Sequence, residues 1–344
     1  MATTDPQIAV VGGGPAGLAA AAEAARAGLR VRLYDERAAP GGPVYRHAIE
    51  PTLLTELTAV DGRVVRHHGA TVWGIFDERT LAWWEGDRVE SVRPDVLVLA
   101  TGGRPRAVPI PGWTLPGVGG AGAPPTAAGE EAVRPGQRVL VAGVGPMLAV
   151  VAARLVRAGA EVVAVLDAAV LRGRPRLLAA PWDRWPVTGD ATADWHTLRA
   201  ARVRVQGSCA VARVVGEGAA GDGRVRGAVT VALDESWRPV PGSEARVDIA
   251  AVQFAWGSVP SIQLAQLSGA ALRHVATAGG FVPIVSAEME TTAAGVFAAG
   301  GIAGAEGAAM AALEGRVAGI AAAARLGALT ARAARSRMRP HQTA

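Results

Sequence analysis

The chain has 344 residues, a single cysteine and no lysine, and its net charge of +5 comes from 35 arginines against 30 acidic residues. Within these residues a lysine Schiff base, a thiol pair and a cysteine-ligated iron–sulfur cluster are therefore excluded, and Cys209 is expected to be a small buried residue. The arginines are dispersed and no apolar run reaches the roughly 18 to 20 residues of a membrane span, so we expect a cytoplasmic protein that binds no nucleic acid.

The first predicted element is a strand at residues 8–11, which runs into the glycine turn of residues 12–17 and then into an alanine-rich helix. Gly12, Gly14 and Gly17 stand where the dinucleotide fingerprint requires a tight turn, a close approach of the pyrophosphate and close packing of the helix on the strand. The pyrophosphate is expected on the free N–H groups of the helix that starts near Pro15 and Ala16.

The next predicted strand, residues 30–34, ends in Asp35 and Glu36, about 20 residues beyond the glycines, where this fold places a carboxylate on the adenosine ribose. We favour Asp35 for that role. A second glycine turn, residues 37–46, resembles the segment that lies along the ribityl chain of FAD in flavoproteins with two dinucleotide-binding domains. This segment distinguishes a flavin site from a simple nicotinamide site.

Two later segments resemble further flavin motifs. The buried run at 96–99 ends in Ala100, Thr101 and Gly102, which is similar to the "ATG" signature at which the chain re-enters an FAD domain. Residues 295–301 resemble the motif GxFAxGD, although Gly301 stands where the motif has Asp. Losing that charge-assisted hydrogen bond would weaken flavin binding by roughly 1.5 to 3 kcal/mol.

A second dinucleotide turn is predicted after the strand at 137–142. Gly143, Gly145 and Pro146 match the fingerprint, but Leu148 replaces its third glycine and is expected to push the helix away from the strand. The following strand ends in Asp167, which could hold a ribose diol. Three alternatives remain for this turn: an NAD(P)H site, a structurally held adenine nucleotide such as ATP, or an empty vestige.

Other chemical groups are sparse. His67 and His68 precede a predicted strand and have no acidic or cysteine partner nearby in the sequence, so we expect them at the surface rather than on a metal. Arginines cluster in the segment 331–344, which is expected to be a solvated, disordered basic tail, with docking to a partner as the alternative. No metal site and no catalytic acid or base is predicted.

Chain order predicts an α/β fold with two Rossmann-like dinucleotide-binding domains, of the glutathione-reductase-like FAD/NAD(P) type, the second inserted in the first. Residues 1–120 and 285–330 would form the FAD-binding domain, and residues 121–284 would form the second nucleotide-binding domain. A helix from 305 to about 326 would start beside Gly301, and residues 224–231 would belong to a β-meander.

Residues 35–46, 111–118 (PGWTLPGV), 142–146 and 257–261 occur in this order in one group of proteins. The chain thereby resembles the FAD-binding subunit of the hydrogen cyanide synthase, opine oxidase and hydroxyproline or proline dehydrogenase family. The resemblance implies that a partner similar to D-amino-acid oxidase oxidises the amine and that this subunit passes the electrons onward. The family commonly has Gln at the position of Pro43 and a cysteine-rich extension that binds a [2Fe-2S] cluster, so here the cluster is expected on a separate small protein, or the electron path is rerouted.

The leading hypothesis is an FAD-dependent, electron-transferring subunit of a multi-subunit dehydrogenase of amines or imino acids. The alternatives are a stand-alone NAD(P)H-dependent reductase of a small electron carrier and a scaffold subunit with a degenerate flavin site. The residues expected at the flavin are Gly12, Gly14, Pro15, Ala16, Gly17, Asp35, Glu36, Arg37, Gly42, Val44, Tyr45, Val72, Ala100, Thr101, Gly102, Gly300, Gly301 and Gly307. Those expected at the second nucleotide are Gly143, Gly145, Pro146 and Asp167.

Overall fold

The computed structural model describes residues 7–42, 51–77, 79–120, 133–169, 191–217, 223–305 and 307–342. The strands are β1 (Ile8–Val11), β2 (Val31–Asp35), β3 (Val64–His68), β4 (Ala70–Phe76), β5 (Thr80–Glu85), β6 (Arg88–Val92), β7 (Val96–Leu99), β8 (Gly103–Pro105), β9 (Val118–Gly120), β10 (Arg138–Gly143), β11 (Glu161–Asp167), β12 (Arg204–Gly207), β13 (Cys209–Gly216), β14 (Val225–Ala232), β15 (Ala245–Asp248), β16 (Ala251–Ala255), β17 (Ser258–Pro260), β18 (Leu272–Val275), β19 (Gly280–Pro283) and β20 (Val296–Ala298). The helices are α1 (Pro15–Arg26), α2 (Pro51–Thr58), α3 (Met147–Arg157), α4 (Ala191–Ala200), α5 (Gln263–Leu267), α6 (Ala308–Arg325) and α7 (Ala331–Gln342).

The chain divides into two compact units, residues 1–104 with 259–344, and residues 105–258. Both boundaries lie earlier than the predicted ones near residues 120 and 285. The first moves because β9 pairs with β16 in the sheet of the second unit. The second moves because α5, in the segment from residue 259 onward, packs Leu264 and Ala265 into the core of the first unit.

The first unit is built on a five-stranded sheet in the order β20-β7-β1-β2-β3, and every pairing in it is parallel. The central strands β1 and β7 are buried at all four positions, as expected for parallel strands that are covered on both faces. Their continuous aliphatic runs explain why the sequence predicted them correctly.

Helices α1 and α6 pack closely because small residues line their contact. A Cβ atom at Gly315 would overlap the carbonyl oxygen of Ala16, and one at Gly319 would overlap that of Ala20. The Arg316 guanidinium then binds two carboxylates, with its nitrogens 3.0 Å from a Glu23 oxygen and 2.8 Å from a Glu56 oxygen. These ion pairs connect α6 to both α1 and α2.

The basic segment at the end of the chain is helical, so the prediction of a disordered tail was wrong for residues 331–342. Ala334 and Met338 of α7 are buried in the core of the first unit. Gln342 donates a 2.9 Å hydrogen bond from its side chain to the Ala287 carbonyl. The sequence did not predict this packing, because only two residues, one helical turn apart, are buried and the residues around them are mostly exposed arginines.

The second unit contains another five-stranded sheet, in the order β12-β11-β10-β16-β9, with parallel pairings throughout. Strands β13, β14 and β15 form an antiparallel sheet in the same unit, so the predicted meander around residues 224–231 is present. Cys209 begins β13 and is partly exposed rather than buried. The two parallel sheets confirm the predicted fold of two Rossmann-like domains. No helix in the described ranges has both the length and the apolar character needed to cross a membrane.

Candidate functional site

The predicted flavin motifs converge on one edge of the first sheet. The glycine turn follows β1, Asp35 ends β2, Ala100 follows β7 and Gly300 lies just after β20. These four strands are neighbours and run parallel, so their carboxyl ends lie side by side. Open parallel sheets bind their ligands at this edge.

Each glycine of the first turn has a visible structural role. Gly12 has φ +107°, and a Cβ there would overlap the carbonyl oxygen of Ala100. A Cβ at Gly17 would overlap the carbonyl oxygen of Gly12, so only glycine lets α1 start so close to β1. Nothing lies within 4 Å of a Cβ at Gly14, which leaves the start of α1 open to a ligand. The N–H groups of Ala16 and Gly17 are then available to a pyrophosphate.

The second glycine turn lies directly over the first. Gly41 donates a 2.7 Å hydrogen bond to the Gly13 carbonyl, and a Cβ at Gly42 would come within 3.2 Å of the Gly14 Cα. The predicted contacts Val44 and Tyr45 lie outside the described residues. Gly42 is thus placed beside the expected pyrophosphate position.

Asp35 is the acidic group best placed for a ribose. The residue is 6% exposed, and its Oδ1 accepts a 3.0 Å hydrogen bond from the Arg37 backbone N–H. Its Oδ2 is buried without a hydrogen-bond partner among the described residues. Burial raises the pKa of Asp35, and the Arg37 N–H and the nearby His68 offset this only in part. Glu36 is exposed. A buried, unsatisfied acceptor beside a glycine turn fits the adenosine ribose of a dinucleotide.

His67, on β3, lies in a packed aromatic group, so the prediction that it is a surface residue without an acidic partner nearby was wrong. Its ring stacks on that of Tyr34, with ring centroids 5.0 Å apart and an angle of 9° between the planes, and its centroid lies 4.7 Å from that of Trp83. The Nδ1 atom lies 3.2 Å from a Glu85 carboxylate oxygen. The partner comes from a different strand, which the local sequence could not reveal. Val72 on β4 lies opposite Trp83, which connects this predicted cofactor contact to the same group.

The Ala100–Gly102 motif is hydrogen-bonded to Ser261, the residue that follows β17. Thr101 donates a 2.7 Å hydrogen bond from its hydroxyl to the Ser261 carbonyl, and the Ser261 N–H donates to the Gly102 carbonyl at 2.9 Å. The Ala100 N–H donates to the Val11 carbonyl at 2.8 Å, which continues the pairing of β7 with β1. The Thr101 hydroxyl therefore orders the site rather than pointing a free donor into it.

The third motif contains a carboxylate that sequence reasoning missed. Glu314 on α6 accepts a 2.8 Å hydrogen bond from the Gly300 N–H, and burial raises the pKa of that carboxyl. Gly300 has φ +83°, and a Cβ there would lie 2.8 Å from the Ala16 Cβ, so this turn contacts the pyrophosphate end of α1. A Cβ at Gly301 would lie 3.2 Å from the peptide of Gly102. The position expected to carry Asp is thus tightly packed against backbone.

Gly307, another predicted flavin contact, is the residue immediately before α6, and its φ is +82°. It therefore marks the N-terminal end of that helix. Glu314 lies 14 residues beyond Gly300 in the chain, and no short motif connects the two positions. Only the packing of α6 along the sheet brings them together.

The glycine turn of the second unit repeats the construction of the first. A Cβ at Gly143 would overlap the carbonyl oxygen of Ala255, just as one at Gly12 would overlap that of Ala100. Gly145 faces open space, and Pro146 directly precedes α3. The residue in the place of the third glycine, Leu148, is 3% exposed and packs in the core of this unit.

Asp167, at the end of β11, also repeats its counterpart in the first unit. Its Oδ1 accepts a 2.9 Å hydrogen bond from the Ala169 N–H, and burial raises its pKa while backbone N–H groups of Ala169 and Gly145 lower it. The turn and its acid thus fit an adenosine-containing nucleotide, with Leu148 as the one altered position. Within the described residues, no cluster of three or more His, Cys, Asp or Glu side chains could hold a metal ion.

The comparisons with known proteins agree with this geometry. The family model described as pyridine nucleotide-disulphide oxidoreductase matches residues 6–327. The chain is 30% identical to the A component of opine oxidase from Rhizobium meliloti, over 97% of this chain and 65% of that protein. It is also 30% identical to hydrogen cyanide synthase subunit HcnB of Pseudomonas aeruginosa, over 90% of this chain and 69% of that protein. The chain therefore spans about two thirds of the length of these relatives.

Among solved structures, thioredoxin reductase of T. acidophilum superposes with a TM-score of 0.68 at 19% identity, covering 94% of this chain and 99% of that one. This similarity shows the fold. The matched family binds FAD in its first domain and NAD(P)H in its second, which confirms the flavin prediction at the level of the family.

Proposed function

This chain belongs to the pyridine nucleotide-disulphide oxidoreductase family, and from that membership we propose that it is the FAD-binding, electron-relaying subunit of a cytoplasmic enzyme complex that oxidises an amine or imino acid. The observation that carries this proposal is the convergence of four motif segments on one sheet edge, around the unsatisfied Oδ2 of Asp35. The similarity to proteins named as subunits of opine oxidase and hydrogen cyanide synthase supports a place in a multi-subunit complex.

In the proposed arrangement, the residues of the first unit bind and orient the cofactor. The N–H groups of Ala16 and Gly17 hold the pyrophosphate, Asp35 accepts from the ribose, and Gly42 and the Gly300–Gly301 turn border the remainder of the dinucleotide. When bound, FAD supplies the redox chemistry. We assign no catalytic acid or base to this chain. A D-amino-acid-oxidase-like flavoprotein subunit would oxidise an opine, hydroxyproline or glycine, and a small [2Fe-2S] subunit would receive the electrons.

Anaerobic stopped-flow absorbance tests this assignment. The flavin of the isolated chain should remain oxidised when opines, hydroxyproline, glycine, NADH or NADPH are mixed with it. Only the chain within its complex should lose flavin absorbance on addition of the amine. Rapid bleaching of the isolated chain by an amine would show that it oxidises the substrate itself and would refute the proposed division of labour.

One observation favours the alternative of a stand-alone NAD(P)H-dependent reductase. The glycine turn and strand-end acid of the second unit, Gly143 and Asp167, have the same construction as Gly12 and Asp35 in the first. Rapid bleaching of the isolated chain by NADH or NADPH would establish this function. A colourless preparation that releases no flavin on denaturation would instead indicate the scaffold role and count against both enzymes.

A further inference from the structure

The antiparallel sheet β4-β5-β6 of the first unit has one face in the protein core and one face outside it. Ile75, Leu81, Trp83 and Val92 point to the core and are buried. The strand register assigns the intervening residues to the outer face. Thr71, Trp84 and Val89 form one row across that face, and Gly74, Ala82 and Ser91 form the next.

This outer face is unusually apolar for the exposed side of an antiparallel sheet, which is normally polar. Trp73, Phe76 and Trp84 are 47%, 50% and 48% exposed, and Val89 is 67% exposed. The Trp73 and Phe76 rings meet edge to face at 5.7 Å, and the Phe76 ring lies across Gly74, where a Cβ would be 2.9 Å away. Trp73 and Phe76 therefore form one aromatic cluster, and Trp84 and Val89 lie together in a row of the same face.

Charge surrounds this surface but does not enter it. The outer-face positions of the three strands carry no ionisable side chain. Asp77 and Asp87 are exposed in the turns at opposite ends of the sheet, whereas the register places Glu85 and Glu90 on the other face, opposite Ala70 and Trp83. Residues 70–92 contain five acidic residues and two arginines, a net charge of −3 within a chain of net charge +5. The outer face thus has an apolar centre and an acidic rim formed by Asp77 and Asp87, one at each end of the sheet.

We propose that this face is the docking surface for the subunit that oxidises the amine, a different polypeptide with an apolar patch bordered by basic residues; the proposal rests on the proposed function. A second copy of this chain fits poorly, because the same acidic rim would be opposed to itself. Three half-exposed aromatic side chains provide roughly 300 Å² of apolar surface. That area suits the centre of an interface of about 800 Å² per partner, where tryptophan and phenylalanine are enriched.

Hydrogen exchange measured by mass spectrometry provides the test. The complex is purified from the source organism through a tag on this chain, its flavoprotein subunit is identified, and exchange is compared with that of the isolated chain. Peptides covering residues 71–76 and 80–92 should be protected in the complex. The second antiparallel sheet, β13-β14-β15, is the internal control and should exchange equally in both samples.

Two variants then separate the apolar centre from the rim. Trp84→Ser should weaken the association of the two isolated proteins by about 30-fold or more, as expected for an interface hot spot, whereas Trp237→Ser, at a control tryptophan that is 50% exposed, should leave it unchanged. Asp87→Arg should slow association at low salt more than at high salt. Far-UV circular dichroism and flavin content establish that each variant is folded.

The possible results are distinguishable. A complex in which residues 71–92 exchange freely and Trp84→Ser still binds would overturn the docking surface while leaving the proposed function intact. A chain that purifies without any flavoprotein partner would refute the proposed function and the docking surface together. A homodimer protected at the same residues would replace the proposed partner with a second copy of this chain.

Discussion

Replacing Asp35 by asparagine should change flavin affinity and protein stability in opposite directions. Oδ1 of Asp35 already accepts the Arg37 N–H, so the asparagine carbonyl is expected to keep that hydrogen bond and its NH₂ group to take the place of Oδ2. The ribose then loses its charged acceptor. A hydrogen bond to a charged group contributes about 1.5 to 3 kcal/mol, so the dissociation constant of FAD should rise about 10- to 100-fold.

The flavin-free protein should respond the other way, because burial raises the pKa of Asp35 in the folded state. A raised folded pKa means that the aspartate's contribution to stability is fully present below pH 3.8, its unfolded value, and is lost as the pH rises through the folded pKa. The asparagine side chain has no such dependence. Urea unfolding of the apoprotein should therefore show that the free energy of unfolding of D35N increases relative to that of the wild type as the pH rises from 3.8 through the folded pKa. D35N should remain the more stable protein at pH 7.

Fluorescence titration of the apoprotein with FAD and urea unfolding at several pH values measure the two effects. The matched control is Glu36→Gln, which removes the neighbouring, exposed acid. It should leave FAD affinity unchanged and should alter stability much less than D35N does, because the Glu36 charge is the smallest of the causes that act on the pKa of Asp35. If Glu36→Gln weakens FAD binding and D35N does not, the assignment of the ribose to Asp35 is refuted. If D35N destabilises the apoprotein at pH 7, burial of the ionised carboxylate does not cost the folded state stability, and the reasoning is refuted.

Four further substitutions, at three positions, test the third motif and the helix α6 that packs against it. Glu314→Gln keeps an acceptor for the Gly300 N–H and should hold FAD within about threefold of the wild type, whereas Glu314→Ala should weaken it by about tenfold in the same titration. Gly315→Ala should lower the free energy of unfolding by about 1 to 3 kcal/mol in urea, because its Cβ overlaps the Ala16 carbonyl; a neutral result would show that α6 can move away from α1. Gly301→Asp, measured by FAD titration, should bind no more tightly than the wild type because its Cβ meets backbone at 3.2 Å.

The parts of the fold that the sequence predicted well are those with local causes. β1, the turn at residues 12–17 and α1 form one strand–turn–helix unit, and β7 is a continuous aliphatic run, so both patterns are visible along the chain even though β7 and Gly12 also make distant contacts. The first domain boundary depended instead on which sheet β9 joins. That choice is made by pairing with β16, which lies far along the chain, and no local pattern reports it.

In the candidate site, too, the residues with local causes were predicted and those that depend on distant contacts were not. Asp35 was predictable because its spacing from the glycines is fixed by one helix and one strand. The pairing of His67 with Glu85 and the hydrogen bond from Gly300 to Glu314 were not, since each joins groups from elements separated in sequence. Residue type alone pointed in the wrong direction for His67, whose partner is 18 positions away on β5.

The departure at Gly301 therefore has to be considered together with α6. Gly300 contacts Ala16, Gly315 contacts the same residue from the helix, and Glu314 holds the Gly300 N–H between them. A carboxylate is present at this motif, although it comes from the helix and not from the turn. A Cβ at position 301 would already meet the Gly102 peptide at 3.2 Å, so restoring the family's residue there should force a small shift of that backbone. Removing the Glu314 carboxylate should instead loosen the turn that borders the pyrophosphate position.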